Sequence, residues 1–420
     1  MLSLLARKAD KTLPGALIGS ERGLPAKDKV LPATAIYGAN ASGKTNFILG
    51  LAYMQRAVAD SQAKWKSGAG TRIDKNTSSE KEYGFFEVLI YLDGVKYRYG
   101  FRASSFFFEE EWLYSYPLGR EQMLFVRKSQ RDDEVVETTL ETGPKVSGEK
   151  RDHESSLRRT RENSLFLSSA AQDNQPECIA IQRWFSTKLI TSIKLNVSSL
   201  DETFTSALAY NCPNFKDLLV PLLRAADPCI KDIVVQREGD QSGEDSDQFS
   251  RENVQKHKVK FVISGSNGDV EMPFEKQSRG IKRLYTISAG LITALKFGRI
   301  YVVDELETSM HPHVASQLLA LFQNRSSNPK GAQLIFTTHE TRLLNLHHLR
   351  RDQVWFCERS NSGESTLFSL LEFSPRKDEN FEVGYLGGRY GAVPVAGIDP
   401  SWLRAINDDN LTITSETLDG

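Results

Sequence analysis

The stretch from Ile36 to Thr45, IYGANASGKT, restricts what this chain can fold into more than any other. Gly38, four residues, and then Gly43-Lys44-Thr45 follow an apolar run and precede Asn46-Phe47-Ile48-Leu49, so the order is strand, glycine turn, helix start. Glycines at 38 and 43 let the backbone curl until the N–H groups from Gly38 through Asn40, Ala41 and Ser42 to Asn46 point into one concavity. The helix opening near Lys44 adds its positive end to the same spot. A polyphosphate fits such a cradle, with Lys44 reaching the β- and γ-phosphates and the Thr45 hydroxyl ligating a bridging magnesium ion. An ordinary glycine-rich turn would lack the flanking strand and helix.

A chain of 420 residues has room for two or three compact units, or for one large α/β domain with insertions. It is 40% hydrophobic and 25% charged, which is enough apolar content for a sizeable core. The formal net charge of -1 excludes a grossly basic nucleic-acid binder and leaves room for a local basic groove. Cys178, Cys212, Cys229 and Cys357 have no C-x-x-C spacing, so they indicate neither a zinc site nor a disulfide framework. They read as reduced thiols of a cytoplasmic protein. The start, MLSLLARKADK, is too short in apolar residues for a signal peptide, and no run reaches the ~18 residues of a membrane span, so no membrane partner is expected.

Along the chain, residues 1 to 30 are weakly patterned. A strand is expected at about 31–37 and a helix at about 44–60. From Tyr83 the sequence alternates on either side of Asp93-Gly94, a strong hairpin signal, and Phe106 to Tyr116 and Gln122 to Arg127 extend it into an antiparallel sheet beside the phosphate loop. Between Lys145 and Arg161 the chain turns charged, with Arg158, Arg159 and Arg161 read either as phosphate-facing or as the solvated start of a helix. Asn163 to Gln172 and helices at about 176–187 and 213–225 form a helical insertion, and the acidic, Ser- and Gly-rich stretch from Gln236 to Asn253 reads as a mobile linker. Lys258 to Ser264 is a strand. No sustained heptad run is present, so no long coiled-coil arm is expected.

Three further motifs carry chemistry. Arg299 to Val303 is an apolar strand that delivers Asp304 and Glu305 to a sheet edge. Asp304 there can hold magnesium or its water shell, and Glu305 can orient and deprotonate an attacking water. Gln333 to Thr338 is a second such strand, ending on His339, which at that edge can hydrogen-bond a γ-phosphate. Gln277 to Leu284, QSRGIKRL, opens a helix to about Lys296, with Ser278 as its N-cap and Gly280 allowing an anion close to the positive helix end.

Together these motifs resemble those of the ABC-class ATPases. The resemblance makes Ser278-x-Gly280 the signature, Asp304-Glu305 the Walker B pair, His339 the switch histidine and Glu307 to Pro312 the loop crossing between two sites. It implies ATP and Mg2+ as cofactors, and a head-to-tail dimer or higher even-numbered oligomer in which the signature of one subunit caps the γ-phosphate on the phosphate loop of another. More narrowly, YGANASGKTN, SRGIKRL, VVDELETSMHPH, QLIFTTHE and RKDENFEVGYLGGRYGAVP look like the stand-alone bacterial ATPases of the AAA15 or OLD-like group, including Rlo-type and abortive-infection anti-phage systems. The likeness runs from about Leu31 to Pro394.

The implied fold is α/β, an ABC-type P-loop NTPase with a mixed central sheet, an antiparallel β subdomain and a helical insertion. Residues 1–145 form the first half of the ATPase, 146–255 the insertion and 256–420 the second half with its C-terminal tail. The chain departs from the family in three places. Arg279 stands where transporter-type members carry glycine, and Lys282-Arg283 replaces glutamine. The glutamine that joins magnesium to the insertion is assigned to Gln172. The family's first strand usually carries an aromatic-serine-phenylalanine run, and the expectation is that this chain begins just after it. Lys282 and Arg283 either meet phosphate charge in trans or cover the helix, and the tail from Tyr385 either packs on the ATPase or meets a partner.

The resemblance implies a magnesium-dependent ATPase that times the action of a separate, nuclease-type effector in anti-phage defence. The stretch after Pro394 is too short for a nuclease domain, so that activity is assigned to another chain. A second class of function is a RecF- or SMC-like clamp in which the dimer grips nucleic acid during DNA repair, and this predicts a contiguous basic face.

Overall fold

A computed structural model describes residues 1–19, 24–25, 28–73, 83–132, 135–193, 199–237, 257–374, 376, 379–393 and 401. In chain order, the phosphate loop lies between β1 (Ala33–Tyr37) and α1 (Lys44–Asp60). Then come β2 (Gly84–Leu92), β3 (Val95–Ala103), β4 (Phe108–Tyr116), β5 (Gln122–Asp132) and β6 (Val135–Thr142). The helices α2 (Lys150–Arg159), α3 (Phe166–Gln172) and α4 (Pro176–Arg183) lead to β7 (Leu189–Ser192), α5 (Ser199–Asn211), α6 (Pro213–Arg224) and β8 (Ile230–Arg237). The last third holds β9 (His257–Gly265), β10 (Gly268–Pro273), α7 (Arg279–Phe297), β11 (Ile300–Val303), α8 (Pro312–Gln323), β12 (Gln333–Thr337), β13 (Val354–Arg359), β14 (Ser365–Ser369) and α9 (Phe381–Leu386).

Six strands build the central sheet in the order β14-β13-β1-β12-β11-β7. All neighbours run parallel except β14, which pairs antiparallel with β13 at the edge. Buried on both faces, these strands read as continuous apolar runs, and their alternate side chains divide between two cores. Ala33, Ala35, Tyr37, Tyr301, Val303, Leu334 and Phe336 enter one core with α7 and α8. Ile36, Val302 and Ile335 enter the other with α1, α3 and α4. Parallel β1, β11 and β12 all end at the same edge, and that places Gly38, Asp304 and Thr338 side by side. The carboxyl ends of parallel strands are where α/β sheets form their sites.

The antiparallel sheet β2-β3-β4-β5-β6 packs on α1 through Phe86 and Phe101 against Tyr53, with ring centroids 5.0 and 6.2 Å away. Its first hairpin turns at Asp93 (φ 47°) and Gly94 (φ 80°), the two successive positive φ values of a type I′ turn. The fold is thus mixed α/β with a mixed central sheet and a separate antiparallel sheet, as the sequence implies.

Inside 146–255 the structure differs from a purely helical insertion. β7 returns to the central sheet and runs parallel to β11, Ile300 opposite Leu189. β8 pairs antiparallel with β9 across the 238–256 stretch and completes a three-stranded sheet with β10. At four residues β7 is too short for periodicity to reveal. The linker read at Gln236–Asn253 begins inside β8 and otherwise lies outside the described residues. The helix expected at 176–187 divides into α4 and one π turn, Trp184–Lys188.

Arg161 faces neither phosphate nor solvent. Its guanidinium donates to the carbonyls of Ser61 (2.8 Å), Gln62 (2.8 Å) and Trp65 (3.2 Å), closing the C-terminal end of α1. The tail packs plainly, because Tyr385 and Tyr390 lie against Phe356 with centroids 5.4 and 5.5 Å apart, and Tyr385 Oη donates to the Ala392 carbonyl at 3.1 Å. Pro394, the end of that motif, lies outside the described residues. Among the described residues, no helix is long and apolar enough to cross a membrane.

Candidate functional site

β1 enters the phosphate loop fully buried, and the loop closes on two residues of positive φ, Ala41 at 62° and Gly43 at 104°. Gly43 serves as the N-cap of α1 in a conformation that side chains resist, and a Cβ there would run into the Ser365 side chain. A Cβ on Gly38 would meet the Cys357 carbonyl. β13 and β14 therefore form the floor of the loop, and Cys357 Sγ donates from that floor to the Ser42 carbonyl at 3.2 Å. Burial pushes that thiol up, so it stays protonated.

Lys44 is buried in the loop, its ammonium donating to the carbonyls of Gly38 (2.8 Å) and Ala39 (2.9 Å). Burial lowers its pKa, opposed by the nearby Cys357, Asp304, Glu305 and Glu307. Asn40, Ala41 and Asn46 are exposed along the rim, while Ser42 is buried with no partner for its hydroxyl among the described residues.

Asp304, 3% exposed, is the hub of the site. Its carboxylate accepts from Thr45 Oγ1 at 2.9 Å on one oxygen and from Thr337 Oγ1 at 2.6 Å on the other. Its N–H donates to the Ser192 carbonyl at 3.1 Å, and its carbonyl accepts from Arg283 at 2.6 Å. The tip of β11 is thus fixed by the phosphate loop, β12, β7 and α7 together. Thr45 and Asp304 present hard oxygen donors 2.9 Å apart, the ligand chemistry that suits a magnesium ion taking its other ligands from phosphate and water.

Glu305 follows with φ 48°, a conformation uncommon for a residue with a Cβ, and strain of this kind gathers at active sites. Its N–H donates to Thr337 Oγ1 at 2.7 Å, its carbonyl accepts from Arg283 at 3.1 Å, and its carboxylate accepts from Thr308 Oγ1 at 2.8 Å. The carboxylate is aimed by these anchors.

His339 sits exposed past β12, its backbone N–H donating to Glu307 Oε1 at 2.7 Å. Partial desolvation lowers its pKa, followed by the positive charge of Lys44, so the imidazole is neutral at pH 7. A neutral ring can donate one hydrogen bond without adding charge.

Ser278 caps α7, accepting from the Ile281 N–H at 3.3 Å, and both Ser278 and Arg279 are exposed. Gly280 is packed so tightly that a Cβ would approach the Ser309 carbonyl to 2.6 Å. The signature-like turn therefore rests on the loop after Glu305, with no hydrogen bond to its own phosphate loop among the described residues. The Lys282 ammonium donates to the Glu275 carbonyl and lies 5.9 Å from the centre of the Phe274 ring, so it folds back over the turn that precedes α7.

The structure brings together Gly38, Lys44, Thr45, Asp304, Glu305 and His339. It does not bring Gln172 to them. α3 is tied to the far end of α1 by Ser168 Oγ donating to the Val58 carbonyl at 2.8 Å. That point lies about 20 Å along the helix from Thr45. The side chain of Gln172 is exposed, beside the Arg159–Asp173 ion pair. The strand that ends beside Asp304 is β7, and the chain leaving it, residues 194–198, lies outside the described residues.

Thr337, Thr308 and the Cys357–Ser365 floor were not singled out by sequence, and Arg283, read there as facing phosphate or covering its helix, instead braces the Asp304 and Glu305 carbonyls. Of the three that were missed, Thr337 had a signal, as one of two hydroxyl residues ending an apolar strand.

A family profile described as "AAA domain, putative AbiEii toxin, Type IV TA system" matches residues 33–345. The chain belongs to this AAA family. The matched span runs from β1 past His339 and so contains every member of the cluster. The comparison with curated proteins gave no match. Among solved structures, the AAA chain is similar to an Smc head bound to the C-winged helix domain of ScpA, at 11% identity and TM-score 0.41, covering 85% of this chain and 98% of that one. It is also similar to the SMC head domain from Thermotoga maritima, at 12% identity and TM-score 0.33, covering 80% and 89%. An Smc head from Pyrococcus furiosus bound to the C-terminal domain of ScpA gives 11% identity and TM-score 0.34, covering 85% and 96%. Likeness this loose says nothing of chemistry or partners.

Proposed function

We propose that this AAA-family protein is a magnesium-dependent ATP hydrolase of the ABC type, which closes into a head-to-tail dimer on ATP and uses hydrolysis to time a separate effector, a nuclease, in bacterial anti-phage defence. The observation that carries the ATPase reading is the double role of Asp304, bonded at once to Thr45 of the phosphate loop and to Thr337 beneath His339. A bound magnesium ion would supply charge neutralisation for the β- and γ-phosphates. The residues do the rest: Gly38 to Asn46 cradle phosphate, Lys44 meets its charge, Glu305 orients and deprotonates water, and His339 donates to the γ-phosphate. Ser278 and Gly280, which make no hydrogen bond to their own phosphate loop among the described residues, would cap the γ-phosphate held by a partner subunit, and Lys282 would join them there only by leaving Glu275 and Phe274. In this reading 1–145 and 256–420 are the two halves of the ATPase and 146–255 is elaborated between them.

The alternative clamp needs a basic face. On the antiparallel sheet Arg98 pairs with Glu87 and Glu121, and both Arg102 and Lys128 pair with Glu110, so these groups supply no surplus of positive charge for such a face.

Complementation tests the shared-site arrangement. Lys44→Ala should lose nucleotide binding, and Ser278→Arg should bind ATP normally yet fail to hydrolyse it. Mixed together, the two should recover part of the activity, because the heterodimer carries one site with an intact phosphate loop and an intact signature. Equal loss of binding in both variants, with no recovery on mixing, would refute the arrangement. Purification of Glu305→Gln from its native operon with ATP tests the effector. A stoichiometric protein partner supports it, and a homodimer carrying nucleic acid transfers the case to the clamp.

A further inference from the structure

An uncovered sheet edge offers a row of backbone N–H and C=O groups to any other strand, and proteins guard such edges with brevity, charge, proline or bulges. Most edges of this fold are guarded in that way. Among the described residues, β7 and β14 end the central sheet with four and five residues. In the three-stranded sheet β8 carries Lys231, Asp232 and Arg237 and is bulged at its start, while β10 carries Asp269 and Glu271 and ends on Pro273. β6, at one side of the antiparallel sheet, carries Glu137 and Glu141. β2, at the other side, has none of these devices. Its nine residues, GFFEVLIYL, pair with β3 in unbroken register and hold one charge, Glu87. That carboxylate is drawn along the sheet, accepting from Trp112 Nε1 at 3.0 Å and lying 3.9 Å from Arg98 Nε, so it does not guard the edge.

The hairpin turn decides which groups this edge offers. A two-residue turn at Asp93-Gly94 makes Leu92 and Val95 a hydrogen-bonded pair, and the alternation carries that pattern along the hairpin. Even-numbered residues of β2 therefore bond to β3, in agreement with the Phe86 carbonyl lying against Gly100. The N–H and C=O groups of Phe85, Glu87, Leu89 and Tyr91 point away from β3, and no further strand pairs with β2 among the described residues. Since Phe86 packs on Tyr53 of α1, the side chains of these four lie on the opposite face, where Phe85 is 55% and Leu89 43% exposed.

We infer that β2 is a dimerisation strand, which pairs antiparallel with β2 of a second copy about a twofold axis at Val88. Full overlap of the two strands sets residue 85 opposite 91 and residue 87 opposite 89, the hydrogen-bonded type of pair that the outward groups require. Phe85 then meets an aromatic ring, Tyr91 of the second copy, and Glu87 meets the uncharged Leu89. Sliding the strands one way sets Glu87 against Glu87, and sliding them the other way sets Phe85 against Asp93 at the turn. A strand that suits its own reversed copy in one register points to a second copy as the occupant, and such an isologous contact closes after two subunits. The pairing needs no nucleotide, so it is independent of the ATP-closed dimer. The two contacts together make an even-numbered oligomer larger than a dimer.

The test follows mass by light scattering over a dilution series of the nucleotide-free protein. Wild type should be a dimer that dissociates on dilution. Leu89→Pro removes an outward N–H and no bond to β3, so it should keep its circular dichroism and become monomeric. Position 89 faces Glu87 of the second copy at two symmetric places. Leu89→Glu should therefore raise the dimer Kd about tenfold or more, while Leu89→Lys should stay within about threefold of wild type. Val88→Cys, combined with Cys212→Ser and Cys229→Ser, sets two cysteines with Cα atoms about 4.5 Å apart across the axis and should form an intermolecular disulfide on mild oxidation. A monomer at every concentration would overturn the inference, as would a dimer indifferent to Leu89→Pro, equal weakening by Leu89→Glu and Leu89→Lys, or a dimer that Val88→Cys does not cross-link. If Leu89→Pro unfolds, the contrast between Leu89→Glu and Leu89→Lys decides. A monomer that binds a separate protein through β2 and loses it in Leu89→Glu would assign the edge to an extended segment of that protein and refute the second copy.

Discussion

Glu305→Gln is expected to bind ATP with wild-type affinity and to hydrolyse it about 10²- to 10⁴-fold more slowly, the usual share of a general base. The expectation rests on what the substitution leaves intact. The Glu305 N–H to Thr337, its carbonyl to Arg283, and an acceptor for Thr308 Oγ1 all survive in glutamine. Neither Thr45 nor Asp304 is touched, so the phosphate and magnesium ligands stay in place. What disappears is the basicity of one oxygen. A variant that binds and does not turn over should accumulate the closed dimer, seen as a doubling of mass by light scattering with ATP but not with ADP. Turnover like wild type would remove Glu305 from the role of base, and Thr308 would then be holding a merely structural carboxylate.

The strain at Glu305 bears on the same point. A residue with a Cβ at φ 48° costs of order 1–3 kcal/mol, and it persists only where the surroundings over-determine it. Here Thr337, Thr308 and Arg283 supply that determination. Two of the three lie more than twenty positions away in sequence, and Arg283 comes from the helix that carries the signature. The same helix therefore begins at the exposed Ser278, rests Gly280 on the Ser309 carbonyl and braces the carbonyls of Asp304 and Glu305 through Arg283.

What could be read from the sequence divides along physical lines. The phosphate loop, the Asp304 strand, the His339 strand and the Ser278 cap are local patterns: a few consecutive residues fix a strand, a turn and the polar group at its end. Such patterns survive folding, and the structure sets the first three side by side because parallel β1, β12 and β11 are neighbours. What stayed hidden depends on partners distant in the chain. β7 has four residues and owes its place to β11, more than a hundred positions later. Arg161 reads as one charge in a charged run until α1 is seen to end beside it. Gln172 was assigned by resemblance alone, and the packing of α3 on the far end of α1 moves it away from the metal position. Glu111 and Arg127 look like surface charges on alternating strands, yet their exposures are 0% and 1%.

That buried pair carries the largest expected effect on stability. Glu111 accepts from the first two N–H groups of α3, Phe166 at 2.6 Å and Leu167 at 3.0 Å, and from Tyr99 Oη at 3.0 Å. It thereby caps a helix whose own N-cap, Leu165, has no side-chain acceptor. Arg127 lies 3.7 Å away and donates to the Ser164 carbonyl at 2.6 Å. Glu111→Ala orphans two backbone donors and leaves a guanidinium buried without its counter-charge, so it should cost about 3–5 kcal/mol, read as a lower urea midpoint at unchanged slope. Replacing both partners together, Glu111→Gln with Arg127→Met, should recover most of that loss, because the desolvated charges go with the pair. Since α3 and Arg161 anchor the end of α1 opposite Lys44, the single variant should still bind ATP at low denaturant and lose binding only where it unfolds. Loss of binding in the folded variant would show that the far end of α1 sets the shape of the phosphate loop.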